Sequence, residues 1–117
     1  MRLTRSEEDG TTVLEISGTV TLGESAREFA AALQQVFDET AGGVVVDLAA
    51  IDYVDSTGIG ELVGHLQRFT EAGRRLALLR PQQRIEALLK LTRLERIFPI
   101  FHDREEAKQF ARGEREG

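Results

Sequence analysis

The chain has 117 residues, 41% of them hydrophobic and 30% charged, enough to close one core and too few for a second domain of ordinary size. Fifteen Lys and Arg against twenty Asp and Glu leave a formal net charge of -5, which repels a phosphate backbone and argues against nucleic-acid binding. The absence of cysteine excludes a disulfide framework, a thiolate nucleophile and a cysteine-ligated zinc site.

Met1 to Asp9 lacks the apolar stretch of a secretory signal, and no later run reaches membrane-spanning length, so the expectation is a cytoplasmic protein with no membrane partner. Residues near Leu3 suit an edge strand, and the alternation from Thr12 to Gly18 predicts a second strand. Ser25 to Thr40 predicts a helix, with Ser25 and Glu28 at capping-box spacing and Phe29, Leu33, Val36 and Phe37 on one face. The β-branched run Val44 to Leu48 predicts a strand after Gly42-Gly43. A helix from about Ser56 to Ala72 follows, with Ile59, Leu62, Val63, Leu66 and Phe69 as its apolar stripe and Gly73 at its C′ position.

Leu76 to Leu79 reads as another strand, Gln83 to Leu91 as a helix burying Ile85, Leu88 and Leu89, and Ile97 to Phe101 as an edge strand carrying a proline. A short last helix starts at Asp103, with Glu106 in the reciprocal capping position. This order predicts a single α/β domain over residues 1–112, a four- to five-stranded mixed, partly parallel sheet with about four helices, and a polar tail at 113–117.

The densest unusual segment is Asp52-Tyr53-Val54-Asp55-Ser56-Thr57-Gly58-Ile59-Gly60, read as a loop between strand and helix, where open α/β sheets meet ligands and partners. Ser56 stands where an N-cap is wanted, with Asp55 and Thr57 as alternatives. At 100° per residue, Thr57, Glu61, Gly64 and Arg68 cluster opposite Ile59, which puts Gly64 in mid-helix on the exposed face. A glycine there costs about 1 kcal/mol relative to alanine, and a flat surface would account for it. Gly58 and Gly60 allow close approach to the helix start.

Enzyme readings of this loop fail on their spacing. Val54 occupies the first glycine position of a Gly-x-Ser-x-Gly elbow. His65 lies nine residues up the helix from Ser56, too far to act as its base, and both it and His102 read as surface or interface side chains. Gly58, Gly60 and Gly64 do not have dinucleotide-fingerprint spacing. Asp47, Asp52 and Asp55 read as solvated strand ends and turns. No catalytic residue, cofactor or metal is predicted.

Val46-Asp47-Leu48 followed by Ile51-Asp52-Tyr53-Val54-Asp55-Ser56-Thr57-Gly58-Ile59-Gly60 resembles the signature of the STAS domain, and most of all the free-standing bacterial anti-sigma factor antagonists, or anti-anti-sigma factors. Ile16-Ser17-Gly18, Gly73-Arg74-Arg75-Leu76 and the stretch Leu88 to Phe98 extend the likeness over nearly the whole chain. The resemblance implies partner switching: the antagonist binds an anti-sigma factor that is also a serine kinase, freeing the sigma factor, and is released when phosphorylated. A serine phosphatase resets it.

By that resemblance Ser56 is the phosphoacceptor, Asp55 its acidic neighbour and Thr57 a minor acceptor. The implied docking surface comprises Thr19, Thr21, Gly23, Asp55, Ser56, Thr57, Gly58, Glu61, Gly64 and Arg68. Thr21 stands where many members of the family carry an acid, which implies a divergent kinase or inefficient phosphorylation. The alternative is a STAS scaffold or adaptor in a signalling assembly, with Ser56 only a helix cap and binding indifferent to Ser56→Asp.

Overall fold

The computed structural model describes all 117 residues. β1 (Arg2–Glu8) and β2 (Thr11–Val20) form an antiparallel hairpin. Its two turn residues, Asp9 and Gly10, both have positive φ, 54° and 83°, the requirement of the turn that best matches the twist of paired strands. Then come α1 (Glu24–Glu39), β3 (Val44–Val54), α2 (Ser56–Glu71), β4 (Leu76–Leu79) and α3 (Gln83–Leu91). A short 3-10 turn (Leu94–Arg96), β5 (Ile100–Phe101) and α4 (Arg104–Ala111) complete the chain's elements.

The five strands lie in the order β1-β2-β3-β4-β5, with β1 antiparallel to β2 and every later neighbour parallel. Successive right-handed crossovers in one direction place their helices on one face of the sheet. Accordingly α1, α2 and α3 share a core with Leu14, Ile16, Val44, Val46, Leu76 and Leu78. On the opposite face α4 sets Ala107, Phe110 and Ala111 against Val13, Val45, Ala77 and Leu79. Burial on both faces explains why the central strands read as nearly continuous apolar runs.

β3 runs past the apolar run Val44 to Leu48 as far as Val54, with two residues inserted against β2. Between Glu15 and Ser17 its partner advances from Asp47 to Ala50, and between Gly18 and Thr19 from Ile51 to Tyr53. Each insertion flips the alternation of a strand, so Leu48, Ile51 and Val54, spaced by three, all face the same core. The segment read as a loop from Asp52 is therefore strand through Val54.

Two other expectations change. The capping box of α1 does not form: its N-cap is Gly23, at φ 112°, with no side-chain cap. Ser25 Oγ instead accepts from the Thr21 N–H at 2.9 Å and donates to the Thr21 carbonyl at 3.1 Å. The last strand contracts from Ile97–Phe101 to two residues, since Leu94–Arg96 turn helically and Pro99 brings no N–H to a ladder.

The α4 face is closed by ions. The Lys108 ammonium, buried, lies 2.8 Å from Asp9, 3.0 Å from Glu105 and 3.4 Å from Glu8. Arg104 reaches Glu8, Glu15 at 3.5 Å and Asp47 at 3.7 Å. Asp47 is buried rather than a solvated strand end, and also accepts from Arg80 at 3.0 Å. The guanidinium of Arg104, then the Ser6 hydroxyl, hold the Glu8 carboxyl down at about 2.

Candidate functional site

At the carboxyl end of the parallel strands, the β2–α1 and β3–α2 loops lie side by side, joined by the Asp55 N–H, which donates to the Val20 carbonyl at 3.2 Å. Asp55, not Ser56, is the N-cap of α2. Its Oδ1 accepts the Gly58 N–H at 3.0 Å, while Oδ2 accepts the Leu22 N–H at 2.8 Å across the gap between loops. Those donors, Leu22 first and Gly58 second, hold its carboxyl below the usual carboxylate range. Ser56 is thereby the first residue of the helix, exposed, with its capping duty already taken by its neighbour. Thr57, next to it, is half-buried.

Gly58 is buried rather than presented on a surface. A Cβ there would stand 2.6 Å from Val54 Cγ1 and 2.8 Å from the Val20 carbonyl oxygen, so the missing side chain lets the first turn of α2 rest on the ends of β2 and β3. Gly60 and Gly64 have nothing within 4 Å of a Cβ position and are exposed.

The helix is turned from the orientation its apolar stripe suggests. Its buried residues are Gly58, Leu62, His65, Leu66 and Phe69, an arc centred about 75° from Ile59 at 100° per residue. Gly60, Gly64 and Gln67 consequently form the outward ridge, and Thr57, Glu61 and Arg68 sit on the flank toward α1. Arg68 is committed there, donating to Gln34 and stacking over the Phe37 ring at 4.7 Å. It is an interhelical side chain more than a free docking group.

His65, expected at the surface, is buried, with its Nδ1 unpartnered and Nε2 3.7 Å from Glu61. Burial pulls its pKa below the ordinary histidine value, Glu61 opposes this, and Arg68 adds to it. Burial thus favours the neutral imidazole, which lies beside Leu62, Leu66 and Phe69 on the buried side of α2.

In the neighbouring loop Thr19 is exposed, while Thr21 and Gly23 are half-buried, Thr21 tied to Ser25 and Gly23 forming the cap of α1. The residue that stands out is Leu22, 79% exposed. Periodicity gives no reason to single it out, since a lone leucine between Thr21 and Gly23 belongs to no stripe. Its signal is an apolar side chain in an otherwise polar turn.

This arrangement offers a hydroxyl and an apolar side chain on a preformed surface. No group of three or more His, Asp or Glu side chains gathers in the chain to hold a metal ion.

Known proteins share the fold. A Thermotoga neapolitana protein assigned as an anti-sigma factor antagonist is 30% identical over 70 residues, 60% of this chain and 62% of its own length. The crystal structure of a Thermotoga maritima protein with the same assignment superposes with a TM-score of 0.81 at 26% identity, over 94% of each chain. The phosphorylated form of the Bacillus cell fate determinant SpoIIAA superposes with a TM-score of 0.71 at 14% identity, over 93% of this chain and 99% of its own. The STAS domain model matches residues 2–107, and with nearly the whole fold inside that match the chain belongs to the STAS domain family.

Proposed function

We propose that this chain is a cytoplasmic anti-sigma factor antagonist that works by partner switching, a regulatory binding protein and not an enzyme. In its unmodified state it binds an anti-sigma factor with serine kinase activity and frees the sigma factor. The kinase then phosphorylates Ser56, the complex separates, and a serine phosphatase restores the hydroxyl. Neither nucleic acid nor membrane is a partner.

The observation that carries this reading is the division of labour between Asp55 and Ser56. Because Asp55 caps the helix, the Ser56 hydroxyl is free to be modified without unfolding α2. Ser56 Oγ attacks the γ-phosphorus of ATP, the bond to the ADP oxygen breaks, and the serine proton passes to a base on the kinase. The product phosphate sits in the first turn of α2, where the helix dipole favours negative charge. It adds a charge of about -1.5 to -2 beside Asp55, enough to alter docking without refolding the domain. The assignment of the Thermotoga neapolitana relative and the phosphorylated SpoIIAA structure support the same reading.

The test is a pull-down from host lysate with Ser56→Ala and Ser56→Asp chains as parallel baits, the retained proteins being identified by mass spectrometry. A serine kinase held by the alanine form and lost by the aspartate form is the expected result. Equal recovery on two folded baits would sink the phosphorylation switch in favour of a scaffold.

A further inference from the structure

We infer that Leu22 is the apolar anchor of the docking surface, and that the partner presents an uncharged socket to it with basic side chains on the α1 side. This deepens the reading above and rests on it.

Leu22 is one of two leucines in the chain that are about four-fifths exposed. Large apolar side chains left in water on an ordered loop gain from being buried by another surface. The loop is ordered for a specific reason: the Leu22 N–H is held by Asp55 at 2.8 Å, and the flanking Thr21 by Ser25 at 2.9 Å. A side chain whose backbone is fixed before docking loses little further conformational freedom on binding, the condition for an efficient anchor. It is also held by the residue next to Ser56, so anchor and phosphoacceptor move as one unit.

Charge indicates what surrounds the socket. Leu22 shares a shallow depression with Met1, Thr21, Glu24, Ser25 and Glu28, and both glutamates are exposed on the first two turns of α1. Arg27 is the only cation on that helix, and the Met1 ammonium in the depression offsets one of the two carboxylates. The α1 side of Leu22 is thus acidic and suits Lys or Arg on the partner, which would steer the encounter. On the Ser56 side the one adjacent carboxylate, Asp55, is engaged by the Leu22 and Gly58 N–H groups, and the exposed hydroxyl of Ser56 is neutral until it is modified.

That asymmetry accounts for release. A phosphate on Ser56 adds a dianion at the rim of an apolar contact, where Leu22 can seat only if the charge is stripped of water without a partner, an expensive arrangement. Attraction between Glu24, Glu28 and a basic rim would otherwise make more negative charge tighten the complex. An uncharged socket beside Ser56 resolves the sign.

The experiment uses the kinase purified from host lysate by its transfer of radiolabelled phosphate from ATP to Ser56 of the wild-type chain. Its dissociation constant is measured by calorimetry for the wild type and for Leu22→Ala, Leu22→Met, Leu91→Ala and Ser56→Asp, each shown by circular dichroism to be folded. Leu91, 82% exposed on α3, is the control for a generic exposed leucine. The expected result is at least about a tenfold loss for Leu22→Ala, recovery with Leu22→Met, and no change for Leu91→Ala. In Glu24→Gln/Glu28→Gln the affinity falls less steeply with added salt than in the wild type. Wild-type affinity for Leu22→Ala, with binding still lost in Ser56→Asp, overturns the anchor and leaves the phosphorylation switch standing. Unchanged binding of Ser56→Asp, or a lysate that never labels Ser56, overturns the switch and the anchor with it.

Discussion

The Asp55 carboxylate accepts the Leu22 N–H at 2.8 Å with one oxygen and the Gly58 N–H at 3.0 Å with the other, so one side chain both starts α2 and fixes the loop before α1. Asp55→Ala removes both acceptors at once. The expected outcome is a lower urea midpoint together with faster amide exchange at Leu22 and Gly58. Asp55→Asn, which keeps a carbonyl oxygen, is expected to fall between the alanine form and the wild type in both measurements.

Two glycines of the same helix predict opposite signs. Gly58→Ala forces a methyl against Val54 and the Val20 carbonyl, an overpacking that costs about 1–3 kcal/mol. Gly64→Ala meets nothing within 4 Å and replaces a poor helix former in mid-helix, a gain of about 0.5–1 kcal/mol. Urea unfolding of the two variants beside the wild type checks both, and a stabilising Gly58→Ala would contradict the close packing described.

Ser56→Ala is expected to change stability by less than about 0.5 kcal/mol, because the exposed serine is not the capping residue. Leu66→Ala, ten residues further along the helix and buried in the main core, is expected to cost about 2–5 kcal/mol. The same unfolding measurements separate a residue kept for regulation from one kept for packing.

Acid should destabilise the protein in two stages. His65 is depressed below its ordinary 6.5, so as pH falls through 6.5 the unfolded chain takes up the proton first and stability declines. In His65→Gln this slope is expected to vanish. Glu8 is at about 2 in the fold against 4.5 unperturbed. Its contribution is complete above about pH 4.5 and is lost as pH falls toward 2. Thermal midpoints between pH 8 and 2 resolve the two windows.

Much of the fold was legible because apolar periodicity and helix stops speak locally. The Val44, Leu76 and Phe29-Leu33-Val36 patterns each report on burial within a few residues. What escaped was set by pairings between distant segments. The period of three at Leu48, Ile51 and Val54 makes sense as strand only once two insertions are made against β2. The rotation of α2 depends on α1 and the sheet together, which is how His65 came to be buried and Gly60 and Gln67 to lie outermost. At the candidate site, Ser56 and Asp55 could be singled out from the helix start. The choice of Asp55 as cap could not, because it depends on where the β2–α1 loop lies. Leu22 carries no periodic signal at all.

The sheet follows the chain, strand by strand, from one side to the other. During synthesis each new strand can pair with the one made just before it, so the sheet and its three-helix face can assemble progressively as the polypeptide leaves the ribosome. The opposite face has no such order of assembly. Glu8 waits 96 residues for Arg104 and 100 for Lys108, and until α4 arrives Glu8 and Glu15 have no basic partner while Asp47 has Arg80 alone. Before α4 is made the apolar patch of Val13, Val45, Ala77 and Leu79 lies uncovered, and the unneutralised carboxylates at its margin are the charges that discourage premature association with other chains.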